Sequence, residues 1–149
     1  MKQKGIDTPS IEPCESHQNI FRNLKGHIAI FELLRNGMFH LKRAYRENSS
    51  QERKEKLKQI FENAYECLTL FCKNNETNQR LLCEKLKLFL LNIDFDLGQI
   101  GLICEICKDN KFVCETYGRQ IIDSIMDVIV KNGRKACYLE PLYVSKALI

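Results

Sequence analysis

Residues 65–91 read YECLTLFCKNNETNQRLLCEKLKLFLL, two helical patterns separated by a polar break. Leading into the break, Leu57, Ile60, Phe61, Ala64, Leu68 and Phe71 recur at spacings of three and four, the stripe of a helix with one buried face. Lys73-Asn74-Asn75 ends that helix, because asparagine competes for backbone hydrogen bonds in turns. Thr77 or Asn78 can cap the next one, which runs through Leu81, Leu82, Leu86, Leu88, Phe89 and Leu90. Asn75, Asn78 and Gln79 thus stand where one helix stops and another starts. Their amides can satisfy the orphan backbone groups of both ends.

The same pattern extends in both directions. Towards the N-terminus, Ile20, Phe21, Leu24, Ile28, Phe31 and Leu34 or Arg35 predict a helix from His17, with Asn36-Gly37 as its stop. Met38 to Ala44 reads as a short amphipathic continuation. Asn48-Ser49-Ser50 breaks the chain, and Ser50 caps a helix whose first turns place Glu52 and Glu55 within reach of Lys56 and Lys58. Towards the C-terminus, Asp94 or Asp96 opens a helix carrying Leu97, Ile100, Ile103, Cys104 and Cys107. Asp109-Asn110 punctuates, a short helix follows through Phe112, Val113 and Tyr117, and Gly118 separates it from an apolar face of Ile121, Ile122, Ile125, Met126 and Ile129. Asn132-Gly133 is a C-cap signal, and a last helix holds Cys137, Leu139 and Leu142 with Pro141 in its first turn.

The expected fold is all-α: an armadillo-like α-solenoid of six or seven helices, each of roughly 10–20 residues, over residues 17–149. Residues 1–16 are polar, hold two of the three prolines and lack periodicity, which predicts a flexible lead-in. No exact sequence repeat stands out.

Composition agrees. A chain of 149 residues, 44% apolar and 28% charged, can bury a proper core. Its net charge of +4 is too small to argue for nucleic acid. No run approaches the roughly 18–20 apolar residues of a membrane helix, and no apolar leader marks it for secretion. Eight cysteines, mostly inside apolar stripes, read as reduced core thiols.

Taken in order, these landmarks resemble the RIH domain of inositol trisphosphate receptors and ryanodine receptors, the intracellular calcium-release channels. The resemblance rests on Gln18, Asn19, Arg22, Asn23 and His27 ahead of an apolar helix; on Phe71, Cys72, Asn75, Asn78 and Gln79; and on Leu88-Phe89-Leu90. It continues through Ile106, Asn110, Cys114 and Glu115 to Gly133, Arg134 and Tyr138. It implies a cytosolic regulatory solenoid segment of a homotetrameric channel at the endoplasmic reticulum, packed against neighbouring solenoid domains. That segment relays ligand binding to a pore this chain does not contain, so a fragment of a receptor subunit is expected, with no cofactor.

Two further readings compete. An inositol phosphate-binding module needs several Arg and Lys converging on phosphates. The positions the resemblance marks for them offer Arg22, but also Glu15, Asn19 and the Asn75-Glu76-Thr77 loop. This departure points to the second, modulatory-region RIH domain, outside the ligand pocket. A stand-alone armadillo-like interaction domain is the other alternative.

Remaining chemistry is sparse. Eight basic residues against three acidic ones between Arg35 and Ile60 read as a solvated face, because aromatic platforms for nucleic acid are not interleaved. Cys104, Cys107 and Cys114 are the close thiol set, yet the three histidines all precede residue 41, and core packing is the simpler account than zinc. Cys14 and Cys137 lie in less apolar surroundings and remain open to redox chemistry. No catalytic motif is present, and neither an enzyme nor membrane insertion by this segment is expected.

Overall fold

The computed structural model describes residues 12–91, 93–133, 136–141 and 143. Among them are seven α-helices: α1 (Glu15–Asn23), α2 (Gly26–Arg46), α3 (Gln51–Cys72), α4 (Glu76–Cys83), α5 (Leu86–Leu90), α6 (Gln99–Cys107) and α7 (Lys111–Asn132). Two 3-10 turns, Ile93–Phe95 and Ala136–Leu139, complete them, and no strand occurs among the described residues. The fold is an all-α helical solenoid.

Helix α3 is the spine. It packs against α1, α2, α4 and α6, and α7 closes over α4, α5 and α6. One continuous core results, in which Leu41, Leu68, Leu82, Phe89, Leu102, Ile103 and Ile106 are fully buried. Burying such side chains contributes about 1.5–3 kcal/mol each. Aromatic rings stitch the first helices to the later ones: Phe31 and Tyr65 both meet Phe89, at ring centroid distances of 6.0 and 6.4 Å.

Several boundaries differ from the sequence expectation. The helix expected from His17 to Leu34 is two helices, broken at Leu24-Lys25, where Lys25 takes a left-handed φ of 58°. Gly26 follows because the Phe21 ring lies against its Cα, where any Cβ would collide with it. Asn36-Gly37 does not stop α2. Gly37 instead lets α2 approach α3, since a Cβ there would stand 3.1 Å from the Phe61 ring. Gly118 likewise sits inside an unbroken α7. Leu81 to Leu90 is split at Glu84-Lys85, and the last expected helix begins as a 3-10 turn. Leu142 lies outside the described residues.

The expected cap at Ser50 is present, its hydroxyl accepting from the Arg53 amide at 3.4 Å. Glu52 pairs with Lys56 at 2.6 Å, while Lys58 pairs with Glu62 at 3.3 Å and not with Glu55.

Candidate functional site

The polar residues singled out in the sequence converge on two helix junctions. At the first, Gln18 on α1 donates through Nε2 to the carbonyls of Leu70 (2.8 Å) and Lys73 (2.9 Å), at the C-terminal end of α3. Its Oε1 accepts from Asn75 Nδ2 at 3.0 Å. Asn75 in turn caps α4, its Oδ1 accepting from the Asn78 amide at 3.1 Å. The cap therefore stands two or three residues earlier than Thr77 or Asn78. Asn78 is used differently: Nδ2 donates back to the Phe71 carbonyl (2.8 Å), and Oδ1 accepts from the Arg22 guanidinium (2.8 Å).

At the second junction the same device recurs. Gln79 on α4 donates to the carbonyls of Glu105 (2.9 Å) and Lys108 (3.1 Å) at the end of α6. Its Oε1 accepts from Asn110 Nδ2 at 2.8 Å, and Asn110 Oδ1 caps α7 at the Val113 amide, 3.2 Å away. The backbone matches residue for residue. Lys73 and Lys108 have φ, ψ of −59°, 121° and −63°, 125°. Asn74 and Asp109 both take left-handed φ, 55° and 53°, and the capping asparagines follow in extended backbone.

These two clamps define an internal repeat. The first unit is α1–α2–α3 and the second α4–α5–α6, with α7 occupying the position where a third would begin. Cys72-Lys73-Asn74-Asn75 and Cys107-Lys108-Asp109-Asn110 are the sequence signal for it. It goes unnoticed because the glutamine and its two carbonyl acceptors are 52 and 55 residues apart in the first unit but 26 and 29 in the second, so no constant period exists. Asn78 and Gln79 are neighbours on α4 and join the two clamps.

The physical role of the clamps follows from their burial. Gln18, Asn75, Asn78, Gln79 and Asn110 are all buried. A buried amide left unsatisfied costs about 1–3 kcal/mol, but each of these has both its oxygen and its nitrogen engaged. The network thus cements consecutive helices where carbonyls and amides would otherwise be orphaned.

His27 and Arg22 flank the first clamp. His27 is buried, stacked on Phe71 at 5.4 Å and edge-on to Phe31, and its Nδ1 has no hydrogen-bond partner among the described residues. Burial, with a smaller contribution from the Arg22 charge, pushes its pKa below the ordinary imidazole value. Asn19 and Asn23 make no side-chain hydrogen bond among the described residues. Gly133 closes α7 at φ 82°, and Arg134 lies outside the described residues. One buried amide escaped the sequence reading: Gln99 accepts from the Leu97 amide at 2.7 Å and bonds the Tyr65 side chain. Its single position before an apolar run carries no distinguishing signal.

The cysteines are all free. Cys72, Cys83, Cys107 and Cys114 are buried, and the Cys114 thiol donates to the Cys107 carbonyl at 3.3 Å. Among the described residues no group of three His, Cys, Asp or Glu could hold a metal, and no helix is long and apolar enough to cross a membrane.

No solved structure matches the chain. The family model described as the RIH domain, shared by ryanodine and inositol trisphosphate receptors, matches residues 1–144, nearly its whole length. With the clamp residues falling on the landmarks that first suggested it, the chain belongs to the RIH-domain family.

Proposed function

We propose that this chain is a regulatory solenoid segment of an inositol trisphosphate receptor-like calcium-release channel. Within that channel it corresponds to the second, modulatory-region RIH domain at the cytosolic face of the endoplasmic reticulum. It holds no messenger and passes conformational bias between neighbouring solenoid segments towards a pore elsewhere in the homotetramer. The observation that carries this reading is the state of Arg22. The one basic residue at the first place marked for phosphate is turned inward, its guanidinium spent on Asn78 at 2.8 Å. Glu15 and Glu76, at the places the resemblance marks for phosphate, are exposed and would repel one. Both ends of the solenoid offer apolar surface to neighbours. Ile20, Leu24 and Ile28 are exposed at the α1 end, and Ile122, Met126 and Val130 form an exposed stripe on α7. An apolar edge expected around Leu142, Val144 and Leu148 falls outside the described residues.

Calorimetry tests the reading. Inositol trisphosphate titrated into the chain at near-physiological salt is expected to give no saturable heat. Stoichiometric micromolar binding abolished by Arg22→Ala would overturn it in favour of an inositol phosphate-binding module.

A further inference from the structure

The repeat isolates one departure. The first unit contains 26 more residues between its glutamine and the carbonyls it clamps than the second does. They lie in the α2–α3 hairpin, whose helices run 21 and 22 residues where α5 and α6 run 5 and 9. The clamp and core of a unit do not need this length, since the second unit closes without it.

The extended half also carries the charge. Between Arg35 and Ile60 lie eight basic and three acidic residues, leaving fifteen basic and sixteen acidic in the rest of the chain. Four of the eight are paired: Arg35 with Glu32, Arg43 with Glu47, Lys56 with Glu52 and Lys58 with Glu62. Lys54 is held by Asn48 and the Tyr45 ring. Lys42, Arg46 and Arg53 are exposed and have no ion pair among the described residues. On α3 and its cap, Ser50, Glu52, Arg53, Lys56, Leu57 and Ile60 line a surface groove of about 370 Å³. Their spacing gives it an apolar floor of Leu57 and Ile60, with Ile60 47% exposed, beside a rim where Lys56 is held by Glu52 and Arg53 has no ion pair among the described residues.

We propose that this groove docks an acidic amphipathic helix of a partner protein. Its apolar side chains lie on Leu57 and Ile60, its carboxylates meet Arg53 and share Lys56 with Glu52, and Lys42 and Arg46 add to the attracting field. Charge complementarity selects the acid, and the apolar floor selects an amphipathic segment over a simple polyanion. Nucleic acid is disfavoured because, of the hairpin's exposed phenylalanine and tyrosine rings, Tyr45 is already engaged by Phe95 and Lys54, and Phe39 alone cannot serve as a stacking platform. A membrane is disfavoured because the hairpin's end, Glu47 to Ser50, is polar and has no apolar wedge to insert. The proposal does not depend on which RIH domain of a receptor this is.

The test uses the full chain and a fluorescent synthetic helix with glutamates on one face and leucines on the other. By anisotropy at low salt, saturable binding is expected that weakens as salt rises. Arg53→Glu should weaken it about tenfold or more, as should Ile60→Ser. Arg53→Glu places a glutamate three residues after the capping Ser50, a favourable arrangement, so loss of binding would not reflect misfolding. Arg119→Glu, on the exposed face of α7 and outside both the hairpin and the clamps, should change nothing. Binding insensitive to both hairpin variants would overturn the proposal. So would failure to bind the peptide, whether or not phosphatidylserine vesicles or single-stranded RNA bind in its place.

Discussion

Replacing Gln79 by leucine removes the second clamp while leaving the volume of the site nearly filled. Three hydrogen bonds disappear, those to the Glu105 and Lys108 carbonyls and that from Asn110 Nδ2. Gln79 is only 2% exposed, so water cannot replace its amide without local opening. Each orphaned group costs about 1–3 kcal/mol, and the apolar replacement returns about 1–2 kcal/mol through burial. The Asn110 amide retains a long contact of 3.5 Å to the Glu76 carbonyl, which softens its loss. A net destabilisation of about 3 kcal/mol is expected. Urea unfolding followed by circular dichroism reads it as a lower midpoint at unchanged slope. Gln79→Glu should be worse, because it sets a carboxylate against two carbonyl oxygens. Asn23→Ala, at an exposed position with no side-chain hydrogen bond among the described residues, should shift stability by less than about 0.5 kcal/mol. A loss below about 1 kcal/mol for Gln79→Leu would refute the clamp as a structural element.

Three other outcomes are expected. Thiol labelling with a maleimide should mark Cys14 first: its thiol is exposed and its pKa is held down by the Ser16 hydroxyl and nearby backbone amides, whereas burial pushes Cys83 and Cys104 up to about 12. Equal labelling of Cys14 and Cys83 in the folded chain would contradict this. Because the folded-state pKa of His27 is depressed, the unfolded chain binds its proton more readily, so stability should fall as pH drops through the ordinary imidazole range; His27→Phe should flatten that slope in acid unfolding curves. Gly26→Ala should cost about 1–3 kcal/mol in thermal unfolding, because the Phe21 ring over that position is itself packed on Phe71 at 5.4 Å; a neutral result would mean that the ring has room to move.

Much of this architecture was legible in the sequence, because the stripes of α3, α6 and α7 follow helical spacing and one face of each is buried. What periodicity could not give is where a helix bends or continues. Gly37 and Gly118 look like stops, yet both sit inside unbroken helices, and in α2 the glycine serves close contact with Phe61. The break at Lys25 has no turn-forming pair to announce it and depends on Phe21 crossing over Gly26. Asn75, Asn78 and Gln79 stand out as landmarks of the resemblance, and their position between two helical patterns agrees with a junction role. The bonds to distant partners do not show there, since the contacts of Gln18 span more than 50 residues. Resemblance to the RIH family pointed to Gln18 and Asn110, and hydrogen bonding supplies the reason those two positions matter.

We expect the two clamps to make α1 to α7 one cooperative body, able to pass strain from one end to the other. Native-state hydrogen exchange at the capped amides of Asn78 and Val113 tests it most directly, comparing the parent chain with Gln79→Leu. Breaking the second clamp should lower protection at Asn78, in the first clamp, by a factor similar to that at Val113. Faster exchange confined to Val113, with Asn78 keeping its original protection, would contradict it.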